Sequence, residues 1–235
     1  MVYNSVNSAR QEASIMRILA ISGSPRGKLS NTRRLVELVL EGARSAGAKT
    51  ELADLSELHI GYCTACNACH VTGNCVLDDD VNPLREKMLA ADGLVLGSPL
   101  YFEGVTAQLK TVIDRLSGIV HCQAFLGKYA CSVATAGGAE QDKAIDYMND
   151  ILVRLGCAAV GGVGASMSMP GSFDAVQKSA VELGRDLVRA FEEKRTYPNQ
   201  DKVHAAMRER FKHLVTANKD NWPHEYAYWQ SRGLL

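Results

Sequence analysis

The feature that most constrains the fold of this chain is a repeated alternation of short apolar segments and amphipathic segments, which begins near Met16. The apolar segments predict buried strands at 16–22, 49–55, 93–99, 128–135 and 157–164. The amphipathic segments predict helices at 30–47, 83–91, 106–117, 140–155 and 173–194. The pattern therefore predicts an α/β protein with a doubly wound, five-stranded parallel sheet covered by helices on both faces.

At 235 residues the chain is long enough for one α/β domain with an appendage. We divide it into an N-terminal arm at 1–15, a central domain at 16–195 with a cysteine segment at 61–76, and a C-terminal helical extension at 196–235. The arm is polar and is unlike a secretory signal because it has no apolar stretch. We expect it to be flexible.

The C-terminal extension combines an amphipathic helix, predicted at 201–217, with aromatic residues near its end: Trp222, Tyr226, Tyr228 and Trp229. A tail of this length is too short to form its own core. These side chains must therefore pack on the parent domain or on a neighbouring subunit. Both arrangements are open at this point, and we expect a homodimer or a homotetramer.

Charge and cysteine content limit the partners and the compartment. The 26 basic and 26 acidic residues cancel, so the net charge favours neither a nucleic acid nor an anionic membrane as partner. No apolar run approaches the ~20 residues that span a bilayer. The 7 cysteines are an odd number, which suits a reducing cytoplasm better than a secreted disulfide scaffold.

Four of the cysteines form a compact C-x2-C-x2-C-x5-C run: Cys63, Cys66, Cys69 and Cys75. This spacing is typical of thiolate ligands of a 4Fe–4S cluster, and the small residues between the thiols permit close backbone approach. Zinc is less favoured because its structural sites usually draw on two separate cysteine pairs. Free or redox-active thiols are a further alternative, although a redox C-x-x-C pair normally opens a helix and has no third and fourth cysteine nearby.

Other residues near the run have weaker signals. The acidic residues 78–80 either add negative charge beside an anionic cluster or form a solvated helix start. Asn82 and Pro83 predict the cap and the first residue of the next helix. Three histidines receive no role: His59, His70 and His121. Three further cysteines are expected to be buried as small apolar residues: Cys122, Cys131 and Cys157.

The segment SGSPRGKLSNT after the first strand has the chemistry of an anion site. It supplies the hydroxyl groups of Ser22, Ser24, Ser30 and Thr32. Ser30 or Asn31 can cap the helix that follows, whose free amides and positive dipole end attract phosphate. Arg26 can bind a phosphate with two hydrogen bonds. The alternative is an ordinary capped turn, and neither a dinucleotide fingerprint nor a nucleoside-triphosphate loop is present.

Three motifs in this order resemble one protein family. GSPRGKLSNT at 23–32, GSPLYFEGVTAQLKTVIDR at 97–115 and TAGGAEQ at 135–141 are similar to the three flavin loops of the flavodoxin-like NAD(P)H-dependent FMN reductases. The resemblance covers residues 16 to about 193. With the cysteine run added, the chain resembles the iron–sulfur flavoproteins within that family.

The resemblance implies a role in FMN binding for each loop. The first loop would bind the phosphate with Ser22, Ser24, Pro25, Arg26, Ser30, Asn31 and Thr32. The second would line the isoalloxazine with Pro99, Leu100, Tyr101 and Phe102. The third would contact the ring's polar edge with Thr135, Ala136, Gly137 and Gly138. Because the cysteine segment also follows a strand, we expect it to open onto the same edge of the sheet.

The resemblance also implies an FMN-dependent oxidoreductase. It would take electrons from NAD(P)H or a reduced carrier and pass them to a small-molecule or protein acceptor, with a 4Fe–4S cluster on the four cysteines as relay. No side chain is assigned as a catalytic acid or base, because the cofactor carries the chemistry. Two alternatives stay open: an NAD(P)H:FMN or quinone reductase without a cluster, and a non-catalytic, zinc-stabilised binding protein.

Overall fold

The computed structural model of the protein describes residues 15–235, so residues 1–14 of the expected flexible arm lie outside the described part. Five strands form one sheet: β1 Arg17–Ser22, β2 Lys49–Asp54, β3 Gly93–Pro99, β4 Tyr129–Ala136 and β5 Ala158–Ser166. Their order is β2-β1-β3-β4-β5, and every neighbouring pair is parallel. The predicted five-stranded, doubly wound sheet is therefore confirmed.

Nine helices occur among the described residues: α1 Asn31–Ser45, α2 Ala68–Thr72, α3 Val81–Ala90, α4 Ala107–Asp114, α5 Ser117–His121, α6 Gln141–Leu155, α7 Ser172–Glu192, α8 Pro198–Ala217 and α9 Pro223–Ser231. The longer ones match predicted segments, since two or more turns show a clear apolar periodicity. The sequence does not predict α2, α5 or α9. These helices are too short for such a pattern and depend on tertiary contacts.

The sheet has an apolar core on each face, and alternate residues of β1 contribute to opposite cores. Ile18 and Ala20 pack in the core formed with α1 and α7. Leu19 and Ile21 pack in the core formed with α3, α4 and α6. The near-continuous apolar run of β1 follows from this burial on both faces.

Two glycines let α1 and α7 pack with their backbones in contact. A Cβ atom on Gly184 of α7 would lie 1.9 Å from the carbonyl oxygen of Val39. On α1, a Cβ atom on Gly42 would lie 1.9 Å from the carbonyl oxygen of Val181. No side chain fits at either position, so the two glycines fix how closely the helices approach.

The C-terminal extension docks on its own chain. Trp229 is buried with Phe211 and Val215 in a third small apolar cluster, and its indole N–H donates to the carbonyl of His121 at 3.0 Å. The side chain of Gln200 bonds the backbone of Ala159 on the edge strand β5 through both its amide atoms, at 2.8 and 2.9 Å. Of the two arrangements that the sequence leaves open, the structure shows packing on the parent domain.

Candidate functional site

The loops after β1 and β3 are joined by backbone contacts at the carboxyl edge of the sheet. The amide of Gly23 donates to the carbonyl of Gly97 at 2.7 Å, and the carbonyl of Gly23 accepts from the hydroxyl of Thr106 at 2.6 Å. A Cβ atom on Gly23 would lie 2.8 Å from Cβ of Leu109. Glycine is therefore required where the first loop passes the start of α4.

Helix α1 begins at this edge with unpaired amide groups. Ser30 is its cap, as one of the two predicted possibilities, because its hydroxyl accepts from the amide of Arg33 at 3.1 Å. The amides of Asn31 and Thr32 have no partner within the helix, since the first residues of any α-helix lack one. The hydroxyl of Thr32 also lies 2.6 Å from that of Thr135 on β4. This end of α1 has the donors and the dipole that bind an anion.

The three predicted flavin loops surround one cavity of about 170 Å³. It is lined by Ser24, Arg26, Ser30, Asn31, Thr32, Pro99, Leu100, Tyr101, Thr135, Ala136, Gly137 and Met167. The cavity lies beside β1 and β3, where the strand order reverses and where doubly wound sheets bind ligands. Most of the predicted cofactor-binding residues thus come together around a single space.

Four predicted residues do not line this cavity: Ser22, Pro25, Phe102 and Gly138. Ser22 is fully buried at the end of β1, and Pro25 is exposed. Phe102 is 103% exposed at the tip of a hairpin, with a backbone φ of 44° that is strained for a bulky residue. The carbonyl of Gly138 faces Ser166 and accepts its hydroxyl hydrogen bond.

Met167 lines the cavity although the sequence analysis does not select it. Its sulfur accepts a hydrogen bond from the side-chain amide of Asn31 at 3.0 Å. The residue directly follows β5, whose carboxyl end reaches the same edge of the sheet. No motif marks this position, so only its place after the fifth strand could have drawn attention to it.

A larger groove of about 550 Å³ runs along α1 beside β2 and α7, with Arg34, Glu41 and Phe173 among its lining residues. It lies on the flank of the domain rather than at the strand ends, and no predicted site residue borders it. We therefore place the ligand site in the smaller cavity.

The cysteine segment folds as a loop around the short helix α2. Cys63 and Cys66 are exposed, and Cys69 and Cys75 are half-buried. The backbone is left-handed at Asn67, before α2, and at Gly73, after it, with φ values of 62° and 82°. The four thiols that the sequence groups together therefore lie on one tightly turned segment.

Asn82 fixes Cys75 rather than capping a helix. Its side chain accepts from the amide of Cys75 at 2.9 Å and donates to the Cys75 carbonyl at 2.8 Å. Helix α3 begins at Val81, so Pro83 is its third residue. The prediction of Asn82 as cap and Pro83 as first residue is wrong, because the cysteine segment takes the side chain of Asn82.

Two arginines face the half-buried thiols. The Nη2 group of Arg115 donates to Sγ of Cys75 at 3.0 Å, and its Nη1 group donates to the carbonyl of Gly61 at 2.6 Å. Arg85 lies close enough to Cys69 and Cys75 for their charges to interact. The Nε atoms of both arginines are buried and have no partner. Two positive charges with spare donors therefore stand beside these sulfur atoms, an environment that suits thiolates or an anionic cluster.

Burial and hydrogen bonds shift the pKa values of these groups in opposite directions. The pKa of the Cys66 thiol is lowered, chiefly by hydrogen bonds from the backbone of Ala68 and the side chain of Thr64. Burial raises the pKa of Cys69 and lowers the pKa of the Arg85 guanidinium. Cys66 is therefore the thiol that these contacts most favour as an anion.

Asp79 is an ion-pair partner, not part of a solvated helix start. Its carboxylate lies 2.8 Å from Nη1 of Arg115 and accepts from the amide of Gly61 at 2.9 Å. The side chains of Arg115 and Asp79 are only 1% and 4% exposed. Burial opposes ionisation of Asp79, but these hydrogen bonds outweigh it and lower the pKa of the carboxyl. The negative charge of Asp79 is therefore balanced by the guanidinium of Arg115.

Helix α4 connects the first flavin loop to the contacts that hold Cys75. Thr106, at the N-terminal end of α4, contacts the first flavin loop, whereas Arg115 at the other end contacts Gly61 and Cys75. Eight residues of helix separate these contacts, which is about 12 Å at 1.5 Å per residue. The anchors of Cys75 therefore lie along the outer helices, and the opening of the cysteine segment onto the flavin edge stays a prediction.

The sulfur atoms are spread more widely than one zinc ion requires. Tetrahedral zinc with bonds of about 2.3 Å places its sulfur ligands about 3.8 Å apart. Within residues 15–235, the only set of three or more histidine, cysteine or acidic ligand atoms within 4.8 Å of one another contains no cysteine: His70, His121 and Glu225. The thiols are therefore not arranged as a tetrahedral zinc site among the described residues, and the choice of a cluster, zinc or free thiols stays a prediction.

The three remaining cysteines are buried, as predicted: Cys122, Cys131 and Cys157. Burial raises the pKa of each of these thiols to about 12. They are therefore neutral near pH 7 and act as small apolar residues.

No helix among residues 15–235 is both long and apolar enough to cross a bilayer.

A parallel sheet in the order β2-β1-β3-β4-β5, with an anion-binding loop after β1, defines a flavodoxin-like, mononucleotide-binding protein. Comparison with known proteins gives the family. The sequence model described as NADPH-dependent FMN reductase matches residues 16–169, and the chain belongs to that family. It is an FMN-dependent oxidoreductase, which confirms the resemblance seen in the three motifs and does not support the non-catalytic alternative.

Two of the relatives are named iron-sulfur flavoproteins. The chain is 33% identical over 227 residues to an iron-sulfur flavoprotein of Archaeoglobus fulgidus, a match that covers 94% of this chain and 100% of the relative. It is 36% identical over 150 residues to an iron-sulfur flavoprotein of Methanosarcina thermophila, covering 62% and 78%. A solved NAD(P)H:quinone oxidoreductase from Methanothermobacter marburgensis shares the fold, with a TM-score of 0.57, 20% identity and coverage of 78% and 99%.

Proposed function

We propose that the protein moves electrons between FMN, bound in the cavity at the strand ends, and a 4Fe–4S cluster held by Cys63, Cys66, Cys69 and Cys75. When bound, FMN exchanges an electron pair with a hydride donor and single electrons with a one-electron centre, which the cluster supplies. The protein provides binding, orientation and charge at both places.

One observation carries the cluster part of the proposal. The buried guanidinium of Arg115 donates to Sγ of Cys75, and a second buried guanidinium, that of Arg85, faces Cys69 and Cys75. Each has a buried Nε–H without a partner. Arg115 is balanced by Asp79, whereas Arg85 has no ion pair with a carboxylate among the described residues. A buried Arg85 cation beside neutral thiols would be costly, and thiolates or the sulfides of an anionic cluster would balance it.

The FMN part rests on the loops around the cavity. Ser24, Arg26, Ser30 and the first amides of α1 are the donors for the phosphate. At about 170 Å³ the cavity is smaller than the roughly 300–1,000 Å³ of a typical ligand pocket. The flavin ring would therefore extend to the mouth, beside the partly exposed Tyr101, where a soluble electron donor can reach it.

The donor we propose is NAD(P)H or a reduced carrier, and the acceptor a small molecule or a protein. We also propose a homodimer or homotetramer, because exposed apolar side chains such as Tyr62 and Phe102 lie next to the two sites. All seven cysteines lie within residues 15–235 and are free, which supports a reducing cytoplasm as the compartment.

Anaerobic purification followed by analysis of flavin, iron, sulfide and zinc tests the proposal. We expect one flavin with iron and sulfide close to four each per chain. Flavin without iron and sulfide would instead support the reductase without a cluster. Substitution C66A should abolish iron binding and spare FMN, whereas the control C131A, which changes a buried thiol away from the segment, should keep both. Full iron occupancy in C66A would refute the ligand assignment.

A further inference from the structure

A buried histidine–glutamate–histidine group links the cysteine segment to the C-terminal extension. Glu225 of α9 is 0% exposed. Its Oε1 lies 2.5 Å from Nδ1 of His70 on α2, and its Oε2 lies 3.1 Å from Nδ1 of His121 on α5. The carboxylate therefore accepts one hydrogen bond from each ring. It is costly to leave a buried carboxylate without hydrogen-bond partners. The contacts of Glu225 with the two histidines therefore hold α2, α5 and α9 in fixed positions relative to one another.

Aromatic stacking completes the group. The indole of Trp222 stacks on the ring of His70 with centroids 4.6 Å apart and on that of His121 with centroids 5.2 Å apart. His224 covers the C-terminal end of α2, where a Cβ atom on Gly73 would lie 2.4 Å from its ring. The extension thus contacts α2 and the glycine at its end through three neighbouring side chains: Trp222, His224 and Glu225.

The geometry favours hydrogen bonds over a metal ion at this group. The three ligand atoms lie within 4.8 Å of one another, close enough to suggest a metal site. The rings of His70 and His121, however, stack with centroids 4.9 Å apart and 11° between their planes. A metal ion lies in the plane of each imidazole that binds it, and two stacked rings have no such common point. A carboxylate with one oxygen on each ring fits instead.

Helix α2 needs this support because it is short. It has five residues, with a left-handed residue at each end, and a helix of that length is not stable by itself. Cys69 is next to His70 on this helix, and Arg85 donates to the carbonyl of Gly73 at its end. The position of the Cys69 thiol thus depends on contacts made by α9.

We propose that Glu225 is a positioning residue for the iron–sulfur site, and that α9, with Trp222 as its N-terminal cap, forms a clasp that holds Cys69 in place through His70. The inference rests on the proposed function in one respect: the expected effect on cluster retention requires that the four cysteines bind a cluster. The clasp itself is a property of the chain without iron. It gives a role at the cysteine segment to Glu225, which lies 155 positions after His70 along the chain.

The test compares E225Q with the matched control E209Q in the full-length, FMN-loaded protein. Glu209 pairs with His213 on α8, but both side chains are exposed, at 68% and 78%. In protein freed of iron by a chelator, amide hydrogen exchange of residues 68–72 should be at least about tenfold faster in E225Q, since a hydrogen bond to a charged group is lost. It should be unchanged in E209Q. After anaerobic loading with iron and sulfide, E225Q should release iron to a chelator about tenfold faster, with FMN content unchanged.

A second variant guards against a failure of E225Q to fold. W222L removes the stacking on both imidazoles and leaves the carboxylate in place, and it should also speed exchange in 68–72. Exchange and iron release as slow as in the unaltered protein in both variants would overturn the proposal. One zinc or other divalent ion per chain that E225Q loses would overturn it too, in favour of a metal site. If the unaltered protein takes up no iron and sulfide, the proposed cluster fails, and the exchange measurement still decides the clasp.

Discussion

Replacement of Arg115 by methionine should destabilise the protein strongly at neutral pH. Methionine has a similar length and no charge, so the change leaves the carboxylate of Asp79 buried without its cation. Breaking a buried ion pair in this way costs about 3–5 kcal/mol. The contacts to Gly61 and Cys75 are lost as well. Urea unfolding of the iron-free protein at a fixed FMN concentration measures the difference without a contribution from any cluster.

The pH dependence of this deficit follows from the pKa of Asp79. In the folded protein that pKa is lowered, so the carboxylate contributes stability above the pKa of an unfolded aspartate, about 3.9. This contribution is lost as the pH falls through the lower, folded-state value. In R115M burial raises the pKa of the unpaired carboxyl instead, and Asp79 becomes protonated at mildly acidic pH. The deficit relative to the unaltered protein should therefore be smaller near pH 4 than at pH 7.

Two further variants make the prediction strict. R17M breaks the pair of Arg17 with Asp92, whose side chains are 60% and 32% exposed, and should cost less than about 1 kcal/mol. The double variant R115M/D79N removes the unpaired charge and should recover at least half of the loss caused by R115M. An R115M protein as stable as R17M, or a double variant no more stable than R115M, would refute the reasoning.

Two shorter predictions concern the helix crossing and the flavin cavity. G184A should lower the free energy of unfolding by about 1–3 kcal/mol, because its Cβ would lie 1.9 Å from the Val39 carbonyl oxygen. The control G138A has open space around the added Cβ, so its melting temperature should stay close to that of the unaltered protein. T32V should weaken FMN binding at least about tenfold in a fluorescence titration, since it removes a buried donor that lines the cavity, and T50V on β2 should bind FMN normally.

The parts of the fold that the sequence predicts best depend on local signals. Strand bounds follow from apolar runs, and the cap at Ser30 follows from side-chain chemistry next to its own helix. The three flavin loops converge because they leave neighbouring parallel strands at one edge, which is a consequence of topology. The exposed position of Phe102 is not predictable in this way, because it lies in a hairpin with two left-handed residues, and no propensity rule anticipates that conformation for phenylalanine.

The contacts around the cysteine segment cannot be predicted from local sequence patterns, because the partners are far apart along the chain. Arg115 is 40 residues from Cys75 along the chain, and Glu225 is 155 residues from His70. The spacing of the thiols predicts that they lie together, but it does not say which buried side chains surround them. Asn82 shows the same limit, since its pattern with Pro83 is that of a helix cap while its side chain bonds Cys75.

The two sites are held in place by different kinds of contact, and this difference explains why one should be separable from the other. The flavin loops depend on the sheet and on backbone bonds such as that from Gly23 to Gly97. The cysteine segment depends instead on side-chain contacts from three other helices. These come from Asn82 on α3, Arg115 at the C-terminal end of α4 and Glu225 on α9. Loss of a side-chain anchor can therefore free the thiols and leave the strand ends intact. Variants of the cysteine segment should lose iron and keep flavin, and joint loss of both cofactors in a folded variant would contradict this division.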